Sequence, residues 1–140
     1  MPIRRTTGGK YAGAKLHGLR LTKLNYHSSI TIDADFCRDV GIKPLEYVEI
    51  WNKMSGARIS TCVLYGDAGS RCCILNGVAA RTCQPGDEVI VASSFFGEID
   101  DIIERQPRVL AFGPDEIIDR ITYVVTRRSD GLLDMRSAQN

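Results

Sequence analysis

The chain has little with which to build a metal centre or a membrane anchor. Of its 140 residues only two are histidine. Its five cysteines, Cys37, Cys62, Cys72, Cys73 and Cys83, form no C-x-x-C pair. Cys72 and Cys73 are neighbours in a strand-like run, so their side chains point to opposite faces and do not chelate together. No metal site is therefore expected. An odd number of thiols without a pairing pattern fits a reducing compartment. No apolar run approaches the roughly 20 residues of a membrane span, and the N-terminal residues lack the apolar stretch of a signal peptide. A cytoplasmic protein is the expectation. The net charge of +1 suggests neither a nucleic-acid groove nor attraction to an anionic membrane.

The absence of acid from one segment is more telling. Residues 1–28 contain no Asp or Glu but six basic residues, Arg4, Arg5, Lys10, Lys15, Arg20 and Lys23. The other 12 basic and all 17 acidic residues follow. A cationic segment thus precedes a mildly acidic body, either as a basic tail or as a fragment that stays bound after a cut. In either case its side chains suit an anionic substrate.

What remains is 44% apolar, enough for one domain with a proper core. Strand-like runs cover residues 15–21, 29–32, 47–52, 57–65, 70–75, 88–94 and 120–126. They are broken by Ser55-Gly56, Gly66-Asp67-Ala68-Gly69, Asn76-Gly77 and Gln84-Pro85-Gly86-Asp87. Strands so short and evenly spaced favour a small barrel. Residues 33–41 differ: an acidic start, apolar positions at helical spacing and a final Gly41 read as one short helix. Asn76-Gly77-Val78-Ala79-Ala80-Arg81 is a tight turn, either a plain hairpin signal or one helical turn that offers N–H groups to an anion. The barrel is expected over about residues 12–126 of a single domain, 1–140, and the polar residues 127–140 are expected to be a loose tail.

One dipeptide carries possible chemistry. Ser28-Ser29 lies in Tyr26-His27-Ser28-Ser29-Ile30-Thr31-Ile32-Asp33, between two extended runs. A serine hydroxyl at such a turn can add to the carbonyl on its N-terminal side and turn the amide into an ester. Loss of the Cα proton with cleavage of the Cβ–O bond, then hydrolysis, leaves a ketone at residue 29. That pyruvoyl group can form a Schiff base with an amino acid and accept the electrons released by decarboxylation. Ser-Ser in a loop is otherwise an ordinary turn cap.

The surrounding motifs favour the self-processing reading. Lys15-Leu16-His17, Tyr26-x-x-Ser29, Ile32-Asp33-x-Asp35-Phe36, Ile50-Trp51-Asn52, Gly56-x-Arg58-x-Ser60-Thr61, Gly69-Ser70-Arg71, Asn76-Gly77-x-Ala79-Ala80 and Pro85-Gly86-Asp87-x-Val89-Ile90 together resemble the aspartate 1-decarboxylases over about residues 12–112. The resemblance implies a mainly β fold, a small double-psi β-barrel with one or two short helices, usually a homotetramer with active sites between subunits. It implies self-cleavage between Ser28 and Ser29 into a β chain 1–28 and an α chain 29–140, with or without a maturation factor. The implied activity is pyruvoyl-dependent conversion of aspartate to β-alanine for pantothenate and coenzyme A synthesis.

Roles follow position by position. Ser29 matches the pyruvoyl precursor and Thr61 the threonine that polarises the scissile carbonyl. Arg58 matches the arginine on a substrate carboxylate, a task suited to a planar guanidinium. Lys15 and His17 line the same pocket, Tyr26 lies near the cleavage turn, and Asn76 with Gly77, Val78 and Ala79 faces the substrate. Trp51 reads as pocket wall or core. Two positions depart from the family pattern. Ser28 replaces a glycine whose positive φ eases the attack. Cys62 replaces a tyrosine that returns a proton after carbon dioxide leaves. Either the Cys62 thiol is that acid, or another group or water acts, or a substrate larger than aspartate fills the space, or Cys62 is a buried strand cysteine with no role. An unprocessed barrel that binds a small acidic metabolite or a protein partner is the alternative from a different class, and a decarboxylase of the same type acting on a different amino acid, such as glutamate or a less acidic one, is a third.

Overall fold

The computed structural model describes residues 8–25, 29–77 and 82–139. The described residues form ten strands and two helices: β1 Gly9–Arg20, β2 Lys23–Asn25, β3 Ile30–Asp33, α1 Ala34–Val40, β4 Tyr47–Asn52, β5 Arg58–Gly66, β6 Cys73–Asn76, β7 Glu88–Gly97, α2 Ile99–Arg105, β8 Arg108–Phe112, β9 Ile117–Arg127 and β10 Leu133–Gln139. All strands join one sheet in the order β10-β9-β8-β1-β7-β4-β5-β3-β6-β2.

That order forces the sheet to curl. β1 and β2 are separated in sequence only by Leu21 and Thr22, yet five strands lie between them in the sheet. The backbone between them is tied across the gap: Leu21 N–H donates to the Asp87 carbonyl at 3.0 Å and Thr22 N–H to the Cys73 carbonyl at 2.8 Å. The result is a small mainly-β, barrel-like fold, as expected. Three parallel pairs (β1 with β8, β2 with β6, β3 with β5) are set among antiparallel ones. The barrel interior holds Leu16, Ile30, Ile32, Ile50, Val63, Leu75, Val89 and Val91, each fully buried. Burial of one such side chain contributes about 1.5–3 kcal/mol.

Strand alternation sorts the remaining residues into an inner and an outer face. Leu16, Val91, Ile50 and Ile59 form one inner row across β1, β7, β4 and β5. The next row, one residue along and on the opposite face, is His17, Ile90, Trp51 and Arg58.

Helix α1 lies where the acidic start and final glycine put it. The Asp33 side chain accepts from Asp35 N at 2.8 Å as its N-cap. Gly41 takes the left-handed conformation at φ 86, with its N–H on the Cys37 carbonyl. The same buried Asp33 carboxylate accepts from Arg71 N at 2.7 Å and Gly69 N at 3.3 Å, which fixes the β5–β6 connection beneath the helix. β4 has the bounds its alternation suggests.

The C-terminal region differs from the sequence reading. α2, β8 and β10 were not legible. Residues 127–140, expected to be loose, include β10, which pairs with β9 from Leu133↔Arg127 to Gln139↔Ile121. The hairpin is mostly exposed, with Leu132, Leu133 and Met135 on its surface, so its polarity reflects exposure and not lack of structure. Among the described residues no helix is long and apolar enough to cross a membrane.

Candidate active site

β3 begins immediately after the serine pair, and its partners determine what Ser29 meets. β3 pairs with β6 through Ile30↔Leu75 and with β5 through Ile30↔Val63. The next residue along β6 from Leu75 is Asn76, and it holds Ser29 twice. Asn76 N donates to the Ser29 carbonyl at 2.7 Å, and Asn76 Nδ2 donates to Ser29 Oγ at 2.8 Å. Ser29 and Asn76 are both buried, so each bond is shielded from water and its loss would leave a polar group unsatisfied. The same Nδ2 reaches Thr31 Oγ1 at 3.3 Å. One nitrogen touching hydroxyls two residues apart places Ser29 and Thr31 on one side of the strand.

Thr31 pairs with Leu64 of β5, which is exposed on the outer face. Continued one residue back from Ile30↔Val63, the register brings Ser29 level with Cys62, which shares the outer face with Leu64. Thr61, the other β5 candidate, is on the inner face. It pairs with the buried Val48 and is itself buried.

A second group lies on the outer face at the far end of β5. The Arg58 guanidinium carbon is 4.9 Å from the Trp51 ring centroid and Lys15 Nζ is 5.7 Å from it. Each cation–π contact contributes about 0.5–1 kcal/mol at an exposed site. His17 stands in the same row, across Ile90 from Trp51. Burial first, then the nearby Lys53 and Lys15, pull its imidazole below the usual value, so it is neutral at pH 7. The face is thus cationic through its lysines and arginine, and an anion is its natural occupant.

Within one chain the structure gathers Ser29, Thr31 and Asn76 with Cys62 at their level, and separately gathers Lys15, Trp51 and Arg58 with His17 in their row. Four residues of β5, roughly 13 Å of strand, separate the levels of Cys62 and Arg58. Gly77 follows Asn76 with φ 78, a conformation glycine adopts without strain. Tyr26, Ser28, Val78 and Ala79 lie outside the described residues. Thr31 and Glu49 were not singled out from sequence. Spacing could have found both, since each is two residues from a candidate (Ser29, Trp51) and so shares its face.

Buried thiols frame the barrel. Burial, with the Asp33 carboxylate nearby, pushes Cys37 up to about 12, and burial likewise raises the Cys73 thiol. Both are protonated and inert at neutral pH.

A family model described as aspartate decarboxylase matches residues 9–118. Aspartate 1-decarboxylase of Xanthobacter autotrophicus is 57% identical over 125 residues, covering 87% of this chain and 83% of the relative. Aspartate 1-decarboxylase 2 of Mesorhizobium japonicum is 54% identical with the same coverage. Aspartate 1-decarboxylase of Rhodospirillum centenum is 50% identical over 131 residues, 91% of this chain and 86% of its own. The fold and these relatives define a carbon–carbon lyase built on a small β-barrel. The chain belongs to the aspartate decarboxylase family.

Proposed function

We propose that this chain cleaves itself between Ser28 and Ser29 and then converts L-aspartate to β-alanine and carbon dioxide, a step that supplies pantothenate and coenzyme A synthesis. The observation that carries the reading is the double hold of Asn76 on Ser29. A serine that only caps a turn has no need of a buried amide fixed on its hydroxyl. A nucleophile that must reach one carbonyl does.

In cleavage, Ser29 Oγ adds to the Ser28 carbonyl carbon and the C–N bond breaks, with the proton passing to the residue 29 nitrogen. The Thr61 hydroxyl polarises the scissile carbonyl, worth a few kcal/mol of barrier. Elimination and hydrolysis then release the nitrogen as ammonia and the Ser28 carboxyl group. The residues around position 29 fit the resulting pyruvoyl group. The Ser29 carbonyl survives cleavage, so the Asn76 backbone N–H bond to it continues to hold the new terminus. When formed, that group supplies a ketone electron sink for an amino-acid substrate.

The chain's own side chains do the rest. Arg58 and Lys15 bind the substrate carboxylates, with His17 neutral beside them. Asn76 orients the substrate, and the Cys62 thiol returns a proton to the substrate carbon. The length of β5 between Cys62 and Arg58 supports assembly of the site from more than one copy, a homotetramer. A cytoplasmic location keeps the thiols reduced. A maturation factor assists cleavage where Ser28 stands in place of glycine.

Intact mass of the purified protein tests this. Two species are expected: a fragment ending at Ser28, and a partner beginning at residue 29 whose amine has become a ketone. A single mass of 15.5 kDa with aspartate decarboxylation, or a Ser29→Ala protein with full activity, would defeat it.

A further inference from the structure

A carboxylate stands inside the cationic face. Glu49 lies in the outer row of Lys15, across the small side chain of Ala92. Glu49, Lys15 and Trp51 line one cavity of about 250 Å³ together with Lys10. A resident anion at that place would neutralise the lysine that an incoming carboxylate needs.

The structure turns it aside. Trp51 Nε1 donates to Glu49 Oε2 at 3.0 Å, and Lys10 Nζ lies 3.9 Å from the other carboxylate oxygen, Oε1. Among the described residues neither Lys15 nor Arg58 forms an ion pair. Each lies against the Trp51 ring. An indole face attracts a cation without supplying the negative charge that would displace a substrate.

We infer that Trp51 is a positioning residue with two tasks: its ring holds Lys15 and Arg58 as unpaired cations, and its N–H withholds Glu49 from them, so that a short dicarboxylate meets both charges free. This rests on the reading that Lys15 and Arg58 take the substrate carboxylates. It adds that the selectivity for a second carboxylate depends on a restrained internal competitor. Strand alternation makes this possible, because Glu49 and Trp51 are two residues apart and project from the same face.

The test is calorimetric binding of succinate, a dicarboxylate with no amine and no route to decarboxylation, to the purified full chain. Trp51→Phe keeps a ring face but removes the N–H. It is expected to weaken succinate binding roughly tenfold, as the freed Glu49 competes. Adding Glu49→Gln to Trp51→Phe is expected to restore binding to within about threefold, and to lower the raised KM for aspartate with kcat little changed. A tryptophan with a merely structural role would not be rescued by a change at Glu49. A double variant as weak as Trp51→Phe, an unaffected single variant, or a wild-type protein that does not bind succinate would each overturn the inference. Because succinate binding needs no turnover, a protein that shows the expected pattern but releases no carbon dioxide would defeat the decarboxylase reading and leave this one standing.

Discussion

Asn76 Nδ2 stands 2.8 Å from Ser29 Oγ and donates to it. The bond orients the hydroxyl before any reaction, because it occupies one lone pair and leaves the proton free to depart. Replacement of Asn76 by Asp keeps the shape but exchanges the donor for an acceptor. Self-cleavage of Asn76→Asp is expected to slow roughly tenfold or more, read as the fraction of uncut chain by mass over time. Wild-type cleavage kinetics would show that the bond is only structural.

Thr61 and Cys62 are neighbours on opposite faces of β5, so their variants should fail in different steps. Thr61→Val exchanges a hydroxyl for a methyl of similar size at a buried position paired with Val48, so the barrel should form, yet most of the chain should stay uncut. Normal maturation of this variant would count against Thr61.

Cys62→Ala should mature normally and lose activity. If the thiol returns the proton, kcat falls on the order of 100-fold with KM nearly constant. An unchanged kcat would assign protonation to water or to another group.

His17 carries a pH signature. Its folded value is depressed, by burial first and then by Lys53 and Lys15, so the folded state binds fewer protons than the unfolded state as pH falls. No penalty exists above the unfolded value near 6.5. Stability then declines as pH drops through 6.5 toward the folded value, and levels off below it. Proton NMR should show His17 titrating below 6.5, and Lys53→Gln should move it upward. A His17 that titrates at its ordinary value would remove the basis for this.

Gly41 ends α1 at φ 86, and an added Cβ would meet Arg108 Nη2 at 3.3 Å. Gly41→Ala is expected to cost about 1 kcal/mol and to lower the thermal midpoint by a few degrees, while leaving cleavage intact. An unchanged midpoint would mean that the backbone relaxes without strain.

Much of the barrel was legible because short alternating runs write their own inward and outward faces. β4 was readable to the residue, and α1 announced itself through Asp33 and Gly41. β8 was not legible, since its apolar run Val109 to Phe112, buried only at Val109 and Leu110, carries no alternation. β10 was hidden for the opposite reason: an exposed hairpin strand, with no apolar face turned to the core, reads as tail.

The site divides along the same line. The residue types present could be read directly from the chain: a serine pair, an arginine and a lysine at strand spacing, and an asparagine before a glycine. Local periodicity also determined that Glu49 shares a face with Trp51, and Thr31 with Ser29, because two residues is the repeat of a strand. Asn76, 47 residues away, closes on Ser29, Cys62 comes level with it on the outer face, and one indole stands against both Lys15 and Arg58 solely because distant strands pair. Those relations depend on the pairing of β3 between β5 and β6 and of β4 between β5 and β7. Such pairing is set by the burial of distant apolar rows against one another, and no local window of sequence contains it.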